Sequence, residues 1–210
     1  MATFFTFRND SFILQDPNDA IAFLKPYAEN GDLEAQVEIA KVYYQFLRDF
    51  EEARRYFLLA SEQGDRYAQR MLGIMHACGE GGPRSYSEAL EWYRKAAAQN
   101  DPQAIRNIGI MYWQGQGVGV DYCEARKWLL QAANLDHHQA QQNLASLYLK
   151  GLGGPRDVIE AYKWLCLAEL GGGKDIVPAK TYAATLMTPD EITQAERAVQ
   201  AFRDSQVRGR

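Results

Sequence analysis

The sequence predicts an all-α fold, a solenoid of four helix-turn-helix repeats with a capping helix at each end. Three observations support this prediction. A unit of about 36 residues recurs along the chain of 210 residues, apolar residues in each unit follow helical spacing, and glycines separate the two halves of most units. One such unit cannot bury its apolar face alone, whereas stacked units bury a continuous core.

The first helix of each repeat is built around a recurring alanine, which we call the anchor. The four anchors are Ala35, Ala68, Ala104 and Ala140. Isoleucine or leucine follows each anchor by four residues, and tyrosine or histidine by eight, so these side chains share one helical face. The position five residues after the anchor is always small, which predicts that a neighbouring helix approaches closely there. The small residues are Ala40, Gly73, Gly109 and Ala145.

The second helix recurs with the same regularity. Its alanines are Ala53, Ala89, Ala125 and Ala161. A large ring follows each alanine by three residues and another alanine by seven, which again describes one helical face. The rings are Tyr56, Trp92, Trp128 and Trp164. Because the three tryptophans keep the register of the repeat, we expect them in the core.

Glycines between the two helices predict a bend rather than a phosphate-binding loop. The recurring pairs are Gly79 and Gly81, Gly115 and Gly117, and Gly151 and Gly153. A dinucleotide fingerprint follows a strand and opens a helix, whereas these glycines follow a predicted helix in three repeats. Glycine supplies the positive φ that other residues resist. In the first repeat the stretch FLRD at 46–49 has no glycine, which predicts a tighter connection.

Both ends of the array carry sequences typical of capping helices. Asp16 and Pro17 are a helix start, and Thr188 with Glu191 forms a capping-box pattern. We therefore divide the chain into an N-terminal segment with a capping helix (1–31), four repeats (about 32–64, 65–100, 101–136 and 137–172), and C-terminal capping helices with a tail (173–210). No strand is expected in any of these segments.

Composition disfavours several functional classes. The net charge of −4 is unfavourable for nucleic-acid binding, which relies on Lys and Arg at phosphates. No apolar run approaches the ~20 residues of a membrane span, and the first residues lack the pattern of a secretory signal. Cys78, Cys123 and Cys166 stand at unrelated spacings and predict no disulfide framework. These features predict a cytoplasmic protein that binds neither nucleic acid nor membrane.

The recurring unit reads A-x3-[LI]-[GA]-x2-Y-x2-G-x-G, then Y-x2-A-x2-W, over roughly residues 32–172. This pattern resembles the Sel1-like repeat family, which is related to the tetratricopeptide repeats. The resemblance implies a right-handed α-α superhelix and a non-catalytic scaffold for protein partners. Some secreted relatives bridge each repeat with two paired cysteines, a pattern that the single cysteines here do not match.

Catalytic chemistry is the alternative, a hydrolase of the β-lactamase-like type linked to the disulfide-rich relatives. No serine is followed three residues later by lysine, and no G-x-S-x-G elbow is present. His76 takes the slot of a tyrosine in the other repeats, which favours a packing role. His137 and His138 are adjacent, and adjacent helical residues diverge instead of converging on a metal. The sequence predicts no catalytic residue, metal or cofactor.

A protein or peptide partner is expected on the first helices, which line the concave surface of the related tetratricopeptide architecture. The predicted partner-binding residues are Tyr44, Tyr67, Arg70, Arg106, Trp113, Gln114, Gln142 and Lys150. Aromatic and arginine side chains are enriched at binding hot spots, and Trp113 stands out because its slot is not a tryptophan in any other repeat.

Arg70 and Arg106 share one slot in consecutive repeats, so together they could grip a carboxylate or an acidic peptide. The alternative is that both arginines pair with acids of the chain or point into water. An exposed apolar patch could equally mediate self-association, which would make the chain a homo-oligomeric structural protein.

Overall fold

The computed structural model describes residues 3–7, 10–14 and 16–208. Within these residues it contains two β-strands, a short π-helical turn and the helices of the repeats and caps. The elements are β1 (Thr3–Phe7), β2 (Asp10–Leu14), α1 (Pro17–Glu29), α2 (Leu33–Val42), α3 (Phe50–Glu62), α4 (Arg66–Cys78), α5 (Tyr86–Ala98), α6 (Pro102–Gln114), α7 (Tyr122–Asn134), α8 (His138–Lys150), α9 (Val158–Leu170), α10 (Val177–Thr185) and α11 (Pro189–Arg208).

The chain divides into two compact units. Unit 1 is Met1–Asp101 and unit 2 is Pro102–Arg210. Unit 1 holds the strands, α1 and two helical hairpins, α2 with α3 and α4 with α5. Unit 2 holds the hairpins α6 with α7 and α8 with α9, followed by α10 and α11. These consecutive helix-turn-helix repeats confirm the predicted fold class; the finer division into segments stays a prediction.

The expectation of no strands is wrong for the start of the chain. Thr3–Phe7 and Asp10–Leu14 pair antiparallel, with Thr3 opposite Leu14 and Phe7 opposite Asp10. The segments read TFFTF and DSFIL, and such aromatic and β-branched runs favour strands over helices. Within unit 1, β1 lies against α2 and β2 against α1. The hairpin therefore precedes the helical repeats without interrupting them.

Close helix packing depends on the small position of the first helix, as predicted. A Cβ added at Gly73 would lie 2.5 Å from the Tyr93 ring, and one at Gly109 would lie 2.8 Å from Leu129 Cγ. The facing slot on the second helix is buried in all four repeats, and its members are Phe57, Tyr93, Leu129 and Leu165. This slot, one residue after the expected ring, therefore faces the core in every repeat.

The expectation for the tryptophans is only partly correct. Trp164 is buried, and Tyr56 is buried in the corresponding slot. Trp92 and Trp128 are half-buried, because the following residue of each second helix faces the core instead. A lysine ammonium, Lys95 Nζ, lies 3.8 Å from the ring centroid of Trp92. These two tryptophans therefore sit at the edge of the core.

The glycine pairs are bends, and they serve a second purpose. Gly79 ends α4 with a φ of +76°, in the left-handed region that glycine adopts at low cost. A Cβ at Gly81 would lie 2.3 Å from the carbonyl oxygen of Phe50. The same relation holds in unit 2, where a Cβ at Gly153 would lie 2.1 Å from the carbonyl oxygen of Tyr122. At Gly81 and Gly153 a side chain would therefore prevent this close backbone contact with the preceding repeat of the same unit.

The first repeat makes its connection without glycine. Residues Tyr43–Leu47 form a π-helical turn, and Arg48 adopts a left-handed φ of 56°. The turn replaces the longer glycine loop of the other repeats, in agreement with the shorter spacing of the sequence.

The last repeat in unit 2 is covered by α11, as expected. Thr188 and Glu191 form the predicted capping box, with the Thr188 N–H donating to Glu191 Oε2 at 2.8 Å. Ala195 and Val199 are buried, and Phe202 meets Trp164 edge-on with ring centroids 5.4 Å apart. α11 thereby removes the apolar face of α9 from water.

Candidate partner-binding surfaces

In unit 1 the predicted residue Tyr44 belongs to the π-helical turn and is held by a carboxylate. Its hydroxyl donates to Glu80 Oε2 at 2.8 Å, and its ring lies edge-on to Phe50 and Phe57. Burial raises the pKa of Tyr44, and the hydrogen bond to Glu80 adds to this effect. Tyr44 therefore presents a fixed, neutral ring rather than a free hydroxyl.

Tyr67 in unit 1 lies between two cations. Lys41 Nζ is 5.0 Å and Arg70 Cζ 4.9 Å from its ring centroid. Burial is the main cause that raises the pKa of the Tyr67 hydroxyl, and the two cations oppose it. Tyr67 and Arg70 thus form one cluster on the first helix α4.

Arg70 has an acidic partner within its own unit. Its Nε donates to Asp101 Oδ2 at 3.2 Å, and the two side chains are 20% and 10% exposed. The charge of Arg70 is therefore compensated inside the chain, which is the alternative outcome considered from the sequence. Sequence reasoning missed Asp101 as the partner, although an aspartate before the first helix recurs at Asp32 and Asp65.

In unit 2 Arg106 has only neutral partners. Its Nε donates to Asn143 Oδ1 at 3.0 Å, and one Nη1 hydrogen reaches Asn107 Oδ1 at 3.5 Å. Within the part of the chain that the structure describes, no carboxylate neutralises it. Burial lowers the pKa of Arg106, because desolvation disfavours its charged form. Arg70 and Arg106 share a sequence slot but differ in charge compensation.

Trp113 and Lys150 meet in unit 2. The Lys150 ammonium lies 5.7 Å from the Trp113 ring centroid, at the ends of the first helices α6 and α8. Trp113 and Gln142 are half-buried, while Gln114 and Lys150 are exposed. Neither α6 nor α8 contains an aspartate or glutamate. We call Arg106, Trp113, Gln142 and Lys150 the unit 2 face, a cationic and aromatic surface.

His76 fits the packing role that its register position predicts. It is 2% exposed, with Nε2 2.9 Å from Arg54 Nη2 and Nδ1 3.2 Å from Glu88 Oε2. Burial, followed by the Arg54 charge, lowers the pKa of His76. The corresponding pair in unit 2 is Arg126 stacked on Tyr148, with Arg126 Cζ 3.7 Å from the ring centroid.

The other titratable groups considered from the sequence are the three cysteines and the adjacent histidines of unit 2. Cys78, Cys123 and Cys166 carry no disulfide, and burial raises the pKa of the Cys78 and Cys166 thiols. His137 and His138 stack with ring centroids 5.8 Å apart. Among residues 3–7, 10–14 and 16–208, no three or more His, Cys, Asp or Glu side chains cluster as metal ligands. In that same part, every helix is too short or too polar to cross a bilayer.

Four segments of the chain match the sequence pattern of the Sel1 repeat, residues 33–65, 66–101, 102–137 and 138–172. Solved structures with such repeats are similar to the chain. One is c5321, described as a protective antigen present in uropathogenic Escherichia coli strains and displaying an SLR fold. It is 28% identical with a TM-score of 0.82, over 90% of this chain and 42% of c5321.

A Sel1 repeat protein from Oxalobacter formigenes is 29% identical, with a TM-score of 0.70 over 76% of this chain and 64% of its own. Helicobacter pylori cysteine rich protein B shares the fold at 19% identity and a TM-score of 0.51, over 64% of this chain and 98% of its own. No curated protein matches the chain in sequence. The chain spans less than half the length of c5321 and less than two thirds of the Oxalobacter protein.

Proposed function

Because the chain belongs to the Sel1 repeat family, whose members are generally protein-interaction scaffolds, we propose that it is a non-catalytic scaffold that binds a protein or peptide partner. The partner binds on the first helices, at the cluster of Tyr67 and Arg70 in unit 1 and at the unit 2 face. The three cysteines without disulfides support a reducing, cytoplasmic location.

The observation that carries this proposal is the placement of Trp113. A tryptophan ring is costly to leave in water, and the repeat does not need one there, since the other repeats hold Tyr44, Ala77 and Leu149 in that slot. Trp113 is nevertheless only half-buried, beside the exposed Lys150. Tryptophan is among the residues enriched at binding hot spots, so a half-exposed tryptophan that the repeat does not need supports a docking role there.

Site-specific photo-cross-linking tests the proposal. A benzoylphenylalanine replaces Trp113 in one variant and Trp128 in a second, and both are irradiated in an extract of the source cells. Trp128 is the matched control, because it is a half-buried tryptophan of the same unit on a second helix.

We expect discrete cross-linked species with the probe at residue 113 and none with the probe at residue 128. A species of twice the chain mass at 113 would identify a second copy as the partner. Equal cross-linking at both positions, or none at 113, would contradict binding on the first helices.

A further inference from the structure

We propose that Arg106 is the receptor for an aspartate or glutamate side chain of the bound partner. This inference rests on the proposed function and names the chemistry that the unit 2 face recognises. Three independent features support it: the register of the repeats, the hydrogen bonds of Arg106, and the charges of the surrounding helices.

The register of the repeats shows which acid is missing. In unit 1, Arg70 bonds to Asp101, which lies 31 residues further along the chain. The same step from Arg106 leads to His137. The residue before the first helix is Asp32, Asp65 and Asp101 in the first three repeats, and His137 in the fourth. Arg106 therefore retains the arginine of the repeat, but His137 stands where an aspartate would neutralise its charge.

His137 does not take over the role of the aspartate. Its Nδ1 accepts the backbone N–H of Ala140 at 3.2 Å, which assigns the ring proton to Nε2. Nε2 lies 2.9 Å from Gln103 Oε1 and donates to it. The histidine thus caps α8, as the aspartates cap other first helices, without offering a negative charge to Arg106.

The hydrogen bonds of Arg106 orient its guanidinium and leave donors unused. Asn143 and Asn107 each accept one N–H, so both Nη2 hydrogens lack a partner among the described residues. Arginine has five N–H donors in a planar fork that matches a carboxylate. Because the group is partly buried, an arriving carboxylate would be weakly screened and bound by charge-assisted hydrogen bonds.

The surrounding charges favour a protein acid over other anions. α6 and α8 carry Arg106 and Lys150 and no acid. The chain as a whole has a net charge of −4, which disfavours a nucleic-acid backbone. Arg70 already binds a carboxylate at the equivalent position of unit 1. The geometry therefore points to an Asp or Glu side chain.

Helical spacing predicts what accompanies that acid. Trp113 lies seven residues after Arg106 on α6, which is two turns and about 10.5 Å along the same face. An extended peptide covers that distance in about three residues. The partner segment therefore carries an acid about three residues from an apolar side chain that contacts Trp113.

Two short probe peptides test the inference, acetyl-Glu-Ser-Ser-Leu-amide and its isostere acetyl-Gln-Ser-Ser-Leu-amide. Each is titrated into the full chain, and the Nε–H resonance of Arg106, assigned as the signal lost in R106Q, is followed by NMR. We expect the glutamate peptide to shift this resonance and to bind at least about tenfold more tightly than the glutamine peptide.

Variants at matched positions sharpen the test. H137D restores the acid of the other repeats and retains a capping side chain, so we expect this variant to fold. Its new carboxylate should then bind the Arg106 guanidinium within the chain. We expect H137D and R106Q to weaken the glutamate peptide by about tenfold or more. R197Q, which changes an exposed arginine of α11 outside the proposed binding surfaces, should bind the peptide as the wild type does.

Two outcomes would overturn the inference. The first is equal affinity of the glutamate peptide for the wild type and H137D. The second is the absence of any Arg106 shift with the glutamate peptide. If cross-linking at residue 113 succeeds while either occurs, the scaffold proposal stands and only the carboxylate assignment fails. Failure of cross-linking at 113 contradicts the scaffold proposal itself.

Discussion

Arg54 Nη2 lies 2.9 Å from Nε2 of the buried His76, so a permanent cation faces an imidazole inside unit 1. Burial and Arg54 both disfavour protonation of His76, while Glu88 opposes them from the other side of the ring. The remaining repeats hold a tyrosine in this slot. The relationship makes the stability of the fold depend on pH.

The folded pKa of His76 is lowered, so the folded state binds its proton more weakly than the unfolded state does. The stability contributed by His76 is therefore complete above the unfolded pKa of about 6.5 and is lost as the pH falls below it. H76Y should remove this component, since Tyr148 stacks on Arg126 in the same slot of unit 2. Urea unfolding between about pH 7.5 and 5 measures the change.

The control for this prediction is H138Q, which alters a histidine outside the buried pair. H138Q should keep the wild-type loss of stability on acidification. An identical pH dependence for H76Y and the wild type would show that His76 does not titrate on unfolding.

Replacing Gly73 tests the close packing of the first and second helices. In G73A the new Cβ would lie 2.5 Å from the Tyr93 ring, and the ring is 4% exposed with little room to move. We expect a net loss of about 1–3 kcal/mol in the free energy of unfolding, despite the higher helix propensity of alanine. G119A is the control, because nothing lies within 4 Å of a Cβ there. A G73A variant as stable as the wild type would contradict this packing.

A stabilising substitution is predicted at Gly171. Within the described residues, Gln141 Oε1 is buried without a hydrogen-bond partner. In unit 1 the corresponding oxygens of Gln36 and Gln69 accept from Gln63 and Gln99 at the ends of the second helices. Gly171 occupies that end position in the fourth repeat.

Gly171 has a φ of −77°, which any residue adopts, so G171Q can supply the missing donor. We expect G171Q to raise the free energy of unfolding by about 1 kcal/mol relative to G171A. Chemical denaturation of the two variants measures this difference, and the alanine control removes the effect of adding a Cβ beside His138. If G171A were as stable as G171Q, the unpaired oxygen would not be the cause.

Removing Asp101 should have two effects. D101N leaves the partly buried Arg70 without its counter-charge, and we expect a loss of about 1–3 kcal/mol in the free energy of unfolding. The released Arg70 should also bind the acetyl-Glu-Ser-Ser-Leu-amide probe, as a second shifted arginine resonance in the NMR titration. An unshifted Arg70 resonance in D101N would contradict the equivalence of the two arginine slots.

The repeat architecture could be predicted from the sequence because each requirement recurs. The anchors, the small position and the glycine bends each occupy the same slot in several repeats. This recurrence distinguishes a structural requirement from a chance match in a single segment. The capping box of Thr188 and Glu191 could also be predicted, because its hydrogen bonds join residues only three apart in the sequence.

The hairpin at the start of the chain and the edge position of Trp92 were not predicted. Strand pairing joins residues outside the repeat, where no second copy guides the interpretation. The helical spacing places Trp92 and Tyr93 on adjoining faces, and only the packing against Gly73 selects Tyr93 for the core.

The residue types of the predicted binding surface could be identified from the sequence, but not whether an acid of the chain neutralises each arginine. Whether an arginine is compensated depends on a partner more than 30 residues away, as Arg70 with Asp101 shows. Comparing the slot of Asp101 with that of His137 would have revealed the difference from sequence alone. The recurring pattern was defined from the anchors onward, so the residue before each first helix was not part of it.

The affinity of the partner cross-linked at residue 113, measured for the wild type, W113A and W128A, tests the central claim most directly. The proposed scaffold predicts that W113A weakens binding by about tenfold or more, with the helical content retained and W128A much less affected. Equal affinity of the partner for W113A and the wild type would contradict binding on the first helices.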